Sequence, residues 1–166
     1  MKKAILPILA LVIILSGCFG AKPAGDPKAI NFSNGKVTLG MSIEEANQVL
    51  GNGEEKAKGI YSYGDTTLMI MEEKVFFILT TDAKATTDRG IKIGDKIKKI
   101  QKSYGKDANL MTKNDDSKFY EVLYKDEDGA VTVTAEKPYN YYLGMNIEED
   151  KVTKIVLSDN TKLGLN

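Results

Sequence analysis

The first feature of the chain is an apolar run of twelve residues, 4–15, which directly follows Lys2 and Lys3. A permanent transmembrane helix needs about 20 apolar residues, so this run is too short to cross a bilayer. A charged start, an apolar centre and small residues at 16 and 17 are instead the pattern of an export signal. Residues 1–17 are therefore predicted to be a signal peptide.

Beyond residue 35 the apolar residues first recur at helical spacing in one short segment and then fall in short segments typical of strands. Ser42 and Glu45 fit a capping box, and apolar residues then recur at helical spacing as far as a glycine. Three segments rich in strand-forming residues come next, at 60–63, 66–71 and 74–80, with turn residues between them. The pattern predicts a short amphipathic helix and a three-stranded antiparallel meander.

The same pattern returns after residue 90, which indicates an internal repeat. Gly40 aligns with Gly94 at an offset of 54, and Ile78 aligns with Ile155 at an offset of 77. By the same alignment, Ile43 and Ile97 are predicted to be equivalent core residues. The alternative is a chance match between short segments bounded by glycines.

The second copy holds about 23 residues more than the first, between its helix and its last hairpin. We expect these residues to lengthen two strands, at 118–125 and 130–136. Asp128-Gly129 stands between them, and this dipeptide favours a tight hairpin turn.

These patterns predict an α+β fold, in which two tandem helix plus antiparallel-sheet repeats form one two-layer domain with helices on one face. The predicted segments are listed here in chain order: a signal peptide at 1–17, a flexible tether at 18–35, a first repeat at 36–82, a connector at 83–89 and a second repeat at 90–166.

Charge and composition limit the ligands and reactions that this protein can support. Without the signal peptide, the chain has 21 basic and 23 acidic residues, a net charge of −2. This charge does not indicate nucleic-acid binding, which favours a strongly basic protein. The chain has no histidine and one cysteine, which excludes Ser-His and Cys-His nucleophile pairs and the usual zinc sites. A carboxylate pair stays open as an alternative, although no two acidic residues are marked as facing each other. We therefore expect no enzyme activity, no metal and no cofactor.

The segment Leu15-Ser16-Gly17-Cys18 resembles the bacterial lipobox. The resemblance implies that Cys18 receives a diacylglyceryl group and that cleavage precedes it. Two acyl chains bury enough CH2 groups to hold a protein on a membrane. The implied location is the extracytoplasmic face of the cell membrane; the alternative is an ordinary secretory signal with a chance cysteine.

The whole pattern resembles the tandem β-lactamase inhibitor protein fold, and residues 90–95 with Tyr104-Gly105 resemble lipoproteins of Gram-positive bacteria that carry it. Each copy is also similar to the small lipoprotein of the outer-membrane β-barrel assembly machinery. The resemblance implies one continuous sheet with an open concave face that grips a partner enzyme. The inhibitor is held by disulfides, which this chain cannot form.

By the repeat alignment, Phe77 takes the position that Lys154 has in the second copy. If Lys154 faces solvent, strand parity places Phe77 on the open face of the sheet. Aromatic side chains on such a face are favoured anchors for a protein partner. The candidate partner-binding residues are Tyr61, Tyr63, Phe77, Tyr120, Tyr124, Tyr139 and Tyr141. The alternative is that these rings fill the core.

Two function classes follow. The first is a membrane-anchored protein-binding module that acts through an open sheet face, with inhibition as one form of that activity. The second is an envelope-maintenance lipoprotein that contacts cell-wall or membrane components through the basic second helix, which carries Lys96, Lys98, Lys99 and Lys102. A role in outer-membrane assembly is a third hypothesis, which applies only if the source is a Gram-negative bacterium. The composition favours a Gram-positive source.

Overall fold

The computed structural model describes residues 25–114, 117–135 and 137–164. The predicted signal peptide, Cys18 and the first part of the predicted tether lie outside these ranges, so lipidation stays a prediction. Within the described ranges, no helix has the length and apolar character needed to cross a membrane.

The described residues form eleven β-strands, two α-helices and a 3₁₀ turn. The first strands are β1 (Ala29–Phe32), β2 (Gly35–Thr38), β3 (Glu54–Ala57), β4 (Ile60–Tyr63), β5 (Thr66–Met71) and β6 (Lys74–Thr80). The later strands are β7 (Asn109–Asn114), β8 (Ser117–Glu127), β9 (Ala130–Thr134), β10 (Tyr141–Glu148) and β11 (Lys151–Asp159). The helices are α1 (Ile43–Leu50) and α2 (Ile97–Tyr104), and the 3₁₀ turn is Gly105–Asp107.

Local signals predicted α1 and the strands after it correctly. The Glu45 amide donates to Ser42 Oγ at 3.2 Å, and the Ser42 amide donates to Glu45 Oε2 at 2.8 Å, which confirms the capping box. The strands β4, β5 and β6 have the predicted bounds. The turn at Asp128-Gly129 also forms, with both residues at positive φ between β8 and β9.

Nine of the strands form one antiparallel sheet. Its order is β3-β4-β5-β6-β11-β10-β8-β7, and β9 pairs with the part of β8 that β7 leaves free. The two halves of the chain meet at the β6–β11 pair, where Thr80 lies opposite Ile155 and Phe77 opposite Ser158. The strands β1 and β2 form a separate hairpin.

The prediction of an α+β fold with two helix plus sheet repeats and helices on one face is wrong. The described chain is mostly β, because each α-helix has eight residues whereas the second half alone supplies five strands to the sheet. A two-turn helix buries few side chains: Ala46 is the buried residue of α1, and Ile100 and Tyr104 are those of α2. The hairpin of β1 and β2 therefore provides much of the remaining cover, through Ile30 and Val37.

Some aligned positions do share a local arrangement inside this single sheet. The Gly40 amide donates to the Val75 carbonyl at 2.7 Å, and the Gly94 amide donates to the Val152 carbonyl at 2.8 Å. Each glycine thus connects the segment before a helix to the start of a strand that follows a tight turn.

Burial confirms one aligned pair and corrects the other. Ile78 and Ile155 are both 0% exposed and belong to the hydrophobic core. Ile43 and Ile97 are only half-buried, because they occupy the first position of each helix, at the margin of the core.

The folded body begins earlier than the predicted boundary at residue 36. Ile30 in β1 is 1% exposed, and the neighbouring Asn31 amide donates to the Thr86 carbonyl at 2.9 Å. The second half of the predicted tether is therefore part of the body, because it supplies a strand that covers apolar side chains.

Candidate functional site: the outer face of the sheet

Strand register shows which residues share a face of the sheet. Directly paired residues of antiparallel strands lie on the same face, and neighbours along a strand alternate. A row on one face, called the core face, consists of Tyr61, Leu68, Ile78, Leu157, Leu143 and Val122. The matching row on the other face, called the outer face, consists of Ile60, Met69, Phe77, Ser158, Tyr142 and Leu123.

The two rows differ in burial although both are largely apolar. Five residues of the core row are at most 2% exposed and belong to the hydrophobic core cluster, which also contains Ile30 and Val37 of the hairpin of β1 and β2. In the outer row, Ile60, Met69, Phe77 and Tyr142 are only half-buried. The next outer row adds Leu79, which is also half-buried. The outer face is therefore an apolar surface that the described elements cover only in part.

Tyr142 organises the centre of the outer face. A Cβ on Gly144 would stand 2.7 Å from both Cε1 and the hydroxyl oxygen of Tyr142, so the ring lies across this glycine. Burial, followed by the charges of Glu121 and Tyr139, raises the pKa of Tyr142 to about 12. Tyr142 was not among the candidate residues predicted from the sequence, although a glycine two residues along a strand from a tyrosine is a detectable signal.

The structure divides the predicted aromatic residues among several places. Tyr120 and Tyr124 are 3% and 2% exposed and belong to the core, which removes them from the candidate binding set. Tyr61, Tyr63 and Tyr141 also lie on the core face but are half-buried.

Of the seven predicted residues, Phe77 lies on the outer face, where it pairs with Met69 on one side and Ser158 on the other. Tyr139 lies in the loop before β10 and is half-buried. The predicted cluster of seven aromatics does not form, because directly paired positions place most of its strand residues on the core face.

Polar interactions hold two of the half-buried tyrosines at the margins of the core face. The Tyr63 hydroxyl donates to Asn47 Oδ1 at 2.7 Å, and the Tyr141 hydroxyl donates to Asp126 Oδ2 at 3.1 Å. Burial and then the Asp126 hydrogen bond raise the pKa of Tyr141 to about 12. These contacts fix the rings to neighbouring elements.

A buried polar cluster lies at the end of α2. The Asp88 carboxylate accepts hydrogen bonds from the hydroxyls of Tyr104 and Tyr124, and Arg89 Nε lies 3.8 Å from Asp88 Oδ2. Burial raises the pKa of Asp88 despite the opposing effects of Tyr104 and Arg89. The Asp88 side chain is 2% exposed, so this carboxylate joins the connector to the core and is shielded from solvent.

Two open grooves border the sheet. One, of about 850 Å³, is lined by Thr81, Ile93, Gly94, Glu148, Glu149, Lys151, Val152 and Thr153. The other, of about 620 Å³, is lined by Phe32, Ser33, Asn34, Val49, Leu50, Tyr63, Gly64, Asp65, Thr66, Asp82 and Lys84. The described part of the chain contains no group of three or more Asp, Glu, His or Cys residues that could hold a metal ion.

Comparisons with known proteins add one distant structural likeness. No family model matches the chain, and no curated protein matches it. An extracellular protein containing a SCP domain from Bacillus anthracis str. Ames shares 13% sequence identity at a TM-score of 0.46. The likeness covers 75% of this chain and 45% of that one, so this chain spans less than half of that protein's length. A likeness at this level assigns neither a fold family nor an activity.

Proposed function

We propose that this protein is a lipid-anchored extracytoplasmic binding module whose outer sheet face receives a partner protein. The observation that carries the proposal is the apolar, half-buried row of Ile60, Met69 and Phe77 on the neighbouring strands β4, β5 and β6. The half-buried Tyr142 continues this row on β10, beyond the buried Ser158 of β11. Apolar surface that a folded body leaves partly uncovered is a candidate interaction site.

The composition of the outer face suits a protein partner. Phe77 and Tyr142 supply large apolar area, and aromatic and methionine side chains are enriched in the buried centres of interfaces. The sheet backbone beneath them is held by hydrogen bonds to both neighbouring strands, so the face is preorganised. Inhibition of a partner enzyme is one form that such binding would take.

Site-specific crosslinking in the cells that make the protein tests this proposal. A photoreactive benzoylphenylalanine replaces Phe77 in the full chain, because an aromatic replacement preserves the local packing. The matched control carries the same group at Lys58, an exposed residue in the turn between β3 and β4. We expect irradiation to link a discrete protein to position 77 and not to position 58.

A second substitution makes the crosslinking result specific for the outer face. Met69→Asp places a charge beside position 77 and should remove the crosslink, while thermal unfolding shows that the body stays folded. The proposal is wrong if positions 77 and 58 give the same products, or if Met69→Asp leaves the product unchanged in a folded protein.

The anchor is tested separately, through Cys18. Replacing Cys18 by Ser removes the thiol that the lipobox pattern designates for acylation, so the protein should stay an uncleaved precursor or leave the membrane fraction. Mass spectrometry of the mature wild-type protein gives the decisive measurement, since an unmodified Cys18 would contradict the lipid anchor.

A further inference from the structure

Three lysines form a stripe along α2 and the 3₁₀ turn that follows it. Lys98 and Lys102 are four residues apart in α2, which places them on one side of the helix, and Lys106 follows in the 3₁₀ turn; all three are exposed. No salt bridge within the described ranges involves them, whereas Lys99 pairs with Asp95 at 2.6 Å. The segment 97–106 contains no acidic residue, so the positive charge of this lysine stripe is not neutralised within it.

An exposed apolar side chain is linked to α2 through one tyrosine. Leu110 in β7 is 49% exposed and pairs directly with Tyr120 of β8. The Tyr120 hydroxyl in turn accepts a hydrogen bond from Gln101 Nε2 of α2 at 3.3 Å. Basic side chains beside an exposed leucine are the combination by which proteins bind the interface of an anionic membrane.

The described chain also begins beside α2. The Gly25 amide donates to the Asp88 carbonyl at 3.2 Å, and the Asp88 carboxylate accepts a hydrogen bond from Tyr104 at the end of α2. Six residues lie between Cys18 and Gly25, and the seven steps from one to the other span at most about 25 Å. A lipid on Cys18 would therefore keep this end of the body within reach of the membrane surface.

We propose that the lysine stripe and Leu110 dock the body on anionic lipid headgroups of the membrane that carries its anchor. The lysines meet the headgroup phosphates, and Leu110 enters the apolar boundary beneath them. The orientation of the body rests on the lipid anchor of the proposed function. Leu110 pairs with Tyr120, which lies on the core face, so this docking uses the opposite side of the sheet from the outer face that receives the partner protein.

Vesicle binding tests the docking without a lipid on Cys18 and without a partner. The probe is the chain from residue 18 with Cys18→Ser; it retains the whole core cluster, whose residues run from Ile30 to Leu157. Its sedimentation is measured with vesicles of equal parts phosphatidylglycerol and phosphatidylcholine, and with phosphatidylcholine vesicles. We expect binding to the anionic vesicles only, and we expect 1 M salt to abolish it because screening then acts within about 3 Å.

Charge-matched variants show whether the lysine stripe is responsible. A lysine near an anionic surface strengthens binding about fivefold, so Lys98→Gln, Lys102→Gln and Lys106→Gln together should weaken it about a hundredfold. The control changes three exposed lysines elsewhere, Lys58, Lys74 and Lys84, to Gln and should retain wild-type binding. Leu110→Ser should weaken binding to the same vesicles without changing its salt dependence.

Three outcomes would overturn the proposal. The first is equal binding of the stripe variant and the control to anionic vesicles. The second is binding to phosphatidylcholine vesicles that is as strong as binding to anionic ones. The third is preferential binding of the wild-type chain to soluble polyphosphate over vesicles. The last result would assign the stripe to an anionic polymer. None of these results bears on crosslinking at Phe77, so failure of the docking and failure of the proposed function are distinguishable.

Discussion

The ring of Tyr142 lies across Gly144 on the outer face of the sheet, where a Cβ would meet the ring at 2.7 Å. Gly144→Ala should therefore displace the ring into solvent, and the pKa of Tyr142 should fall from about 12 towards the ordinary tyrosine value of about 10. Alkaline titration of labelled tyrosine by NMR measures this change.

A double-mutant cycle separates the ring contact from the strand itself. In a Tyr142→Ala background, Gly144→Ala should stabilise the protein by about 0.5–1 kcal/mol, because glycine is unfavourable inside a strand. If Gly144→Ala destabilises the protein equally in both backgrounds, the ring does not cover the glycine.

The central core should respond most strongly at Ile78 and Ile155. Both side chains are 0% exposed, so replacing either with Ala should lower the free energy of unfolding by about 2–5 kcal/mol. Replacing the half-buried Ile43 or Ile97 with Ala should lower the free energy of unfolding by clearly less. Urea denaturation gives the comparison, and equal losses at all four positions would contradict the burial pattern.

The turn between β5 and β6 carries backbone strain that a glycine would relieve. Glu72 and Glu73 have φ of 51° and 63°, as a two-residue hairpin turn requires, although this region is unfavourable for side chains larger than glycine. Glu73→Gly should therefore stabilise the protein by about 0.5–1 kcal/mol in thermal unfolding. Thr132→Gly, at an exposed position in β9, serves as the control and should destabilise it.

The buried Asp88 should make stability depend on pH. Burial raises the pKa of Asp88 in the folded state above the ordinary aspartate value, so the folded protein holds the proton more tightly than the unfolded chain. By linkage, the contribution of Asp88 to stability falls as pH rises from about 4 to its raised pKa.

An Asp88→Asn variant removes this titration and checks its sign. Its free energy of unfolding should rise relative to the wild type as pH increases from about 4 towards neutrality. Urea midpoints measured over this range give the result. A difference that shrinks with increasing pH would show that the pKa of Asp88 is lowered.

Sequence signals of short range determined several elements by themselves. The capping box of Ser42 and Glu45 started α1, and the bounds of β4, β5 and β6 followed from strand-forming segments between turn residues. These features depend on residues within a few positions of each other. The chemistry excluded by the absence of histidine was likewise a property of composition.

Only the tertiary structure decided which side of each strand is covered. The alternation of side chains along β4 and β6 is visible in the sequence. The pairing of Tyr61 with Leu68 places that tyrosine on the core face. The pairing of Phe77 with Met69 places that phenylalanine on the outer face. Strand register depends on contacts between residues far apart in the chain, so a list of aromatic residues did not separate core rings from surface rings.

The same reason applies to the architecture. The pairing of β6 with β11 joins the two halves into one sheet, and β1 folds from the predicted tether onto the body through Asn31 and Thr86. The hydrogen bond of Gly25 to Asp88 and the pairing of Leu110 with Tyr120 also depend on such contacts. The sequence by itself therefore determined local elements and excluded chemistries, whereas tertiary contacts decided which of its apolar and charged residues face outward.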